Sequence, residues 1–166
     1  MSWFVSTRQR AAGAVALGLI AIAVPGGAAP AGPFDGLTGS WTGSGQVRLE
    51  DGKTEGLKCK AYYTPKGGSS LGLALRCASA SNKIELRASL SSAGGRVSGD
   101  WEERSFNAAG TVTGHASGDS IRLSINGGGF TGSMVVKTSG GNQSISVAAQ
   151  GSALKGVNIT LKRDGG

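Results

Sequence analysis

From Gly39 onward, apolar and polar residues alternate along most of the chain. Leu57, Cys59, Ala61 and Tyr63 occupy every second position, and Leu71, Leu73, Leu75 and Cys77 repeat the pattern after a short break. Ile84, Leu86, Ala88 and Leu90 follow, then Val97, Gly99 and Trp101, then Val112 and Gly114. Ile121, Leu123 and Ile125 continue the series, with Phe130, Met134 and Val136 after them. Ile145, Val147 and Ala149, then Val157, Ile159 and Leu161, complete it. A period of two puts each set on one face of an extended strand. The first strand is expected over Gly39 to Glu50, with Trp41, Val47 and Leu49 on that face. The pattern predicts about ten strands and no helix after residue 31.

The breaks are turns. Asp51-Gly52-Lys53, Ala93-Gly94-Gly95, Ser117-Gly118-Asp119, Asn126-Gly127-Gly128-Gly129 and Ser139-Gly140-Gly141-Asn142 all accept a positive φ. Each connection is too short for a parallel crossover, so the strands form an antiparallel up-and-down meander. A meander with one apolar face covers it by closing into a barrel, or into a flattened barrel resembling a sandwich. The outward positions carry Ser, Thr, Lys, Arg and Glu, which excludes a lipid-facing outer-membrane barrel.

Opposed residues of paired strands share a face, so register can be read from the alternation. A hairpin centred on Gly68 sets Cys59 opposite Cys77, Ala61 opposite Leu75 and Tyr63 opposite Leu73. The two cysteines then meet as a cross-strand disulfide. Such a bridge closes a loop of about 18 residues, for which the chain-entropy model gives around 3 kcal/mol. Matching Leu75 with Leu86 sets Arg76 beside Glu85. Matching Leu86 with Trp101 sets Arg87 beside Asp100, and leaves Glu85 beside Glu102. The same scheme sets Gly99 opposite Gly114 and Trp41 opposite Tyr63. Gly43, Gly45, Gly99, Gly114 and Gly132 fall on the inward face, where they either let the sheet coil sharply or leave room for a ligand.

The N-terminus changes the picture of where such a domain works. Arg8 and Arg10 precede an uncharged, mostly apolar run from Ala11 to Val24, and Pro25 with Gly26-Gly27 ends it. Ala29-Pro30-Ala31 supplies small residues at a cleavage site. This is the plan of a signal peptide over residues 1–31, leaving a single barrel domain over residues 32–166 that is periplasmic or secreted. The apolar run is shorter than the roughly 20 residues that span a bilayer, so no transmembrane span is expected in the mature chain. Leaving out Arg8 and Arg10, fifteen basic and ten acidic residues remain, a net charge of +5. These charges are scattered rather than clustered.

The chemistry is sparse. His115 is the single histidine and points outward beside Arg122, so neither a catalytic triad nor a zinc set can be assembled. No metal, cofactor or catalytic residue is expected, and the protein is read as a non-enzyme. The aromatics are expected to point inward and the bases outward, which argues against nucleic acid as a partner. Trp101 and Glu103 share the inward face, and the Glu103 carboxylate is a candidate polar anchor near the barrel mouth.

Several pieces carry a resemblance. Leu37-Thr38-Gly39-Ser40-Trp41-Thr42-Gly43, Leu75-Arg76-Cys77-Ala78-Ser79, Gly99-Asp100-Trp101-Glu102-Glu103 and Gly110-Thr111-Val112-Thr113-Gly114 resemble a group of uncharacterised small exported proteins of alphaproteobacteria. The likeness spans most of the mature chain and brings no catalytic residues with it. At the level of fold, a Gly-x-Trp at Gly39-Ser40-Trp41, opening an antiparallel meander, resembles lipocalins. That likeness implies a small apolar or amphipathic ligand inside the barrel, lined by Trp41, Tyr63, Leu73, Trp101, Phe130 and Met134 with Glu103 as anchor. Barrel-shaped exported protease inhibitors also share a Trp in the first strand and one disulfide. They imply the alternative: an envelope interaction or inhibitor module with a solid core, a protein partner that the sequence does not name, and contacts through Ser105 to Ala109, with Phe106, or through Pro65 to Ser70.

Overall fold

A computed structural model describes residues 32–165, so the signal segment expected over residues 1–31 lies outside the described residues. The alternation folds as ten strands: β1 (Gly39–Leu49), β2 (Thr54–Pro65), β3 (Ser70–Ala78), β4 (Lys83–Ala93), β5 (Arg96–Glu103), β6 (Ala108–Ser117), β7 (Ser120–Gly127), β8 (Phe130–Ser139), β9 (Asn142–Gln150) and β10 (Leu154–Arg163). Every strand pairs antiparallel with its neighbours in sequence, and β1 pairs with β10, so the sheet is a closed up-and-down barrel. Closure leaves no edge strand to template aggregation. Among the described residues, no helix is long and apolar enough to cross a membrane.

The β2–β3 register is the expected one: Cys59 opposes Cys77, Ala61 opposes Leu75 and Tyr63 opposes Leu73. The cysteines are bonded, with Cα atoms 4.1 Å apart. Arg76 faces Glu85, and His115 faces Arg122 on the outer wall. Three other expected pairings are displaced by two residues. Trp101 opposes Ala88 rather than Leu86, Gly99 opposes Val112 rather than Gly114, and Trp41 opposes Ala61 rather than Tyr63. A slip of two keeps every side chain on its face, so alternation alone is blind to it. Turn geometry decides instead. Gly94 and Gly95, with φ of 57° and 77°, make a two-residue turn that locks Ala93 to Arg96. Arg87 therefore faces Glu102, which removes the like-charged pair of Glu85 with Glu102.

The expected inward glycines do face the interior, and their purpose is close approach. A Cβ on Gly43 would lie 2.0 Å from the carbonyl oxygen of Thr160, and one on Gly114 would lie 1.9 Å from that of Arg122. Between these strands the backbones are too near for any side chain, which lets the sheet coil tightly enough to close.

One end of the barrel is capped by the segment before β1. Phe34 and Leu37 pack into the apolar core. Trp41 is completely buried, and its indole N–H donates to Leu37 O at 2.7 Å. Arg163, at the end of β10, lies over the Trp41 ring with its guanidinium carbon 4.3 Å from the ring centroid. Its two terminal nitrogens donate to the carbonyls of Thr38 and Gly36. One side chain thus ties the last strand to the segment that precedes the first. Arg163→Ala is expected to lower stability by about 2 kcal/mol, read as a fall of about 8 °C in the thermal midpoint. Arg163→Lys should recover less than half of this, because an ammonium cannot hold two carbonyls and stack on a ring together.

Candidate functional site

Of the seven residues expected to line the interior, four fall on a single line of pairing. Tyr63, Leu73, Ala88, Trp101, Gly110, Gly127 and Phe130 oppose one another in turn across β2 to β8. Because barrel strands are tilted, this line climbs the inner wall from the capped end at Tyr63 to the opposite rim at Phe130. Trp41, on β1, lies against the cap. Met134 faces inward two rows away, between Leu123 and Val147.

At the capped end the site residues are fully engaged. The Tyr63 hydroxyl donates to Gln143 Oε1 at 2.8 Å, and Gln143 Nε2 donates to Thr138 Oγ1 at 3.4 Å. Burial holds the Tyr63 hydroxyl protonated well above the usual phenol range. Gln143 is the only buried polar or charged side chain among the described residues. It lies in phase with Ile145, Val147 and Ala149, and that was the available signal for a polar group inside.

The rim end is different. Trp101 and Phe130 rings lie 5.4 Å apart between centroids, tilted by 48°. Two strands separate them, and those strands carry Gly110 and Gly127 in the line of pairing, so no side chain fills the gap over which the rings meet. Trp101 is 94% buried, yet its indole N–H has no hydrogen-bond partner. Ile84, Leu86, Ala88, Phe130, Met134 and Val147 pack against the core only half-buried, as Leu73 does beside Tyr63, whereas Trp41 and Leu161 at the capped end are fully buried. The basic residues of β3 to β8 all occupy the outward phase, so the inner wall around Trp101 carries no cation, and Glu103 is the carboxylate on it.

Glu103 faces inward, but both its oxygens are occupied by backbone. Oε1 accepts from Glu85 N–H at 2.6 Å, and Oε2 accepts from Phe106 N–H at 2.7 Å. It clasps the loop between β5 and β6, in which Asn107 takes a positive φ of 51° and Phe106 stands 62% exposed. The free polar group at this rim is therefore the Trp101 N–H. Among the described residues, no group of His, Cys, Asp or Glu could hold a metal ion.

No protein-family model matches the chain, and no curated protein matches it in sequence. Solved structures do resemble it. Rv2717c from M. tuberculosis is 16% identical with a TM-score of 0.67, over 79% of this chain and 94% of that one. The S-type phycobiliprotein lyase CPES from Guillardia theta is 13% identical with a TM-score of 0.58, over 80% and 91% of the two chains. At such identities the likeness establishes the barrel fold alone.

Proposed function

We propose that the protein is an exported, non-enzymatic barrel that binds a small apolar or amphipathic molecule at the rim end of its interior. The observation that carries this reading is the orphaned Trp101 N–H. A buried donor left without an acceptor costs about 1–3 kcal/mol, and nearly all such groups in folded proteins are paired. A ligand with a carbonyl or ether oxygen would supply the acceptor, and the half-buried side chains of β3, β4 and β8 would take its apolar body. A wall with no cation and with the Glu103 carboxylate engaged by backbone favours a neutral ligand over an anionic one. The resemblance to lipocalins and the barrel fold shared with the S-type phycobiliprotein lyase agree with a small-molecule site. The disulfide agrees with export.

Displacement of the fluorescent probe N-phenyl-1-naphthylamine tests this, with 2-undecanone and undecane as competitors. Trp101→Phe keeps a ring beside Phe130 and removes only the donor. It is expected to weaken the ketone about fivefold and leave the alkane unchanged. Equal effects on both, or no displacement from the unmodified protein, would sink the proposal.

The clasped loop favours a second reading, in which the exposed Phe106 ring presented by Glu103 contacts a protein of the cell envelope. Crosslinking from position 106 in envelope preparations distinguishes it.

A further inference from the structure

The outer wall carries a feature independent of the interior. The outward positions of β3 are Gly72, Ala74, Arg76 and Ala78, three of them nearly without side chain. On either side, β2 presents Lys58, Lys60 and Tyr62, and β4 presents Lys83, Glu85 and Arg87. A low strand between two tall ones makes a trough. Its first half, about 590 Å³, is lined by Thr42, Ser44, Lys58, Lys60, Arg76 and Lys83 among others. Its second half, also about 590 Å³, runs on past Lys66 and Arg87 to Asp100 and Glu102. Tyr62 lines both halves and is 41% exposed. The expectation that aromatics point inward thus fails at Tyr62, and the bases are clustered here rather than scattered.

The charges in the first half are unpaired. Lys60 directly opposes Arg76, an arrangement that repels. The described residues contain two ion pairs, Lys53 with Asp51 and Lys155 with Glu50, and neither involves the trough. Arg76 faces Glu85 across the ladder without an ion-pair contact. Four cations, one carboxylate, two hydroxyls and a central aromatic ring therefore line one concave surface, a net charge of +3.

We infer that this trough binds a linear acidic polysaccharide, with Lys58, Lys60, Arg76 and Lys83 on its carboxylates and the Tyr62 ring against the face of one sugar. The alternative polyanion, single-stranded nucleic acid, stacks successive bases on several aromatics along an evenly positive groove. This trough has one aromatic, and Glu85, Asp100 and Glu102 interrupt its positive charge. A chain of lower charge density that offers hydroxyls fits it better. The trough is open along its length, as a polymer requires.

Isothermal titration calorimetry at low ionic strength tests this with three probes: oligogalacturonate, neutral maltodextrin and oligothymidylate. Oligogalacturonate should bind and maltodextrin should not. Lys60→Ser with Arg76→Ser should weaken binding about tenfold, and Tyr62→Ser about threefold, with the thermal midpoint unchanged. Arg96→Ser with Lys137→Ser removes the same charge elsewhere on the barrel and should leave binding within twofold. Absence of oligogalacturonate binding overturns the inference, as does an equal loss in the Arg96 and Lys137 variant. Tighter binding of oligothymidylate would replace the glycan with nucleic acid.

Discussion

Gly43→Ala should abolish the closed barrel, whereas Gly56→Ala should leave it intact or slightly firmer. Both glycines lie within strands at ordinary φ, so backbone strain does not separate them. Their surroundings do. The new methyl at position 43 would meet Thr160 O at 2.0 Å and Leu161 Cα at 2.8 Å, and backbone cannot swing aside as a side chain can. At position 56 it would meet nothing within 4 Å. Gly43 lies on β1 at the seam with β10, and this seam alone converts the meander into a barrel. Forcing it apart unpairs two strands and exposes their backbone. The loss should exceed about 3 kcal/mol, a large part of the 5–15 kcal/mol that holds a typical domain. The gain at position 56 should be about 0.5 kcal/mol, from a less flexible unfolded chain. Urea unfolding of the two variants measures both. A Gly43→Ala unfolding free energy within about 1 kcal/mol of the unmodified protein would mean that the seam is elastic, and would reopen the reading of the inward glycines as room for a ligand.

The same contrast shows which levels of this structure are legible in the sequence. Period two identifies each strand and its inward face, including the faces of Gly43 and Gly114. It cannot say why a glycine is there, because the reason is a carbonyl on the neighbouring strand. It also cannot see a slip of two, so the alternation alone allows Trp101 to face Leu86 as readily as Ala88, its partner in the barrel. The β2–β3 register was legible because a hairpin centred on Gly68 fixes it, and the two cysteines that then meet mark it independently. Arg163 left no such mark: its partners Thr38 and Gly36 lie at the far end of the chain, and only closure brings them together. Tyr62 was masked by its neighbour Tyr63, the inward member of the pair. The small outward residues of β3 become a trough only when β2 and β4 stand on either side. The candidate interior fared similarly. Its wall could be listed from the alternation, but which polar group lies free at the rim depended on the loop that occupies Glu103.

Reduction of the Cys59–Cys77 bond should lower stability by about 3 kcal/mol without dismantling the barrel. The bond joins residues 18 apart across one hairpin, so it closes a short loop that the β2–β3 turn already favours. Its main effect is therefore on the unfolded chain, which regains conformations when the thiols part. The ladder around it does not depend on the link, since Ala61 with Leu75 and Tyr63 with Leu73 continue the pairing toward the capped end. The thiols would stay buried beside Gly43, in a row that runs through Cys59 and Cys77 to Ile84. Cys59→Ala with Cys77→Ala should fall further than reduction by about 1–2 kcal/mol, because removing both sulfurs leaves unfilled space in an inner wall that cannot collapse onto it. Urea unfolding with and without reductant, with thiol content verified by mass, separates the two contributions. The reduced and oxidised midpoints should differ by about 1–2 M urea for a domain of this size. Coincident midpoints would show that the hairpin is fully ordered before the bond forms, and that the oxidising compartment expected for this chain adds nothing to its stability.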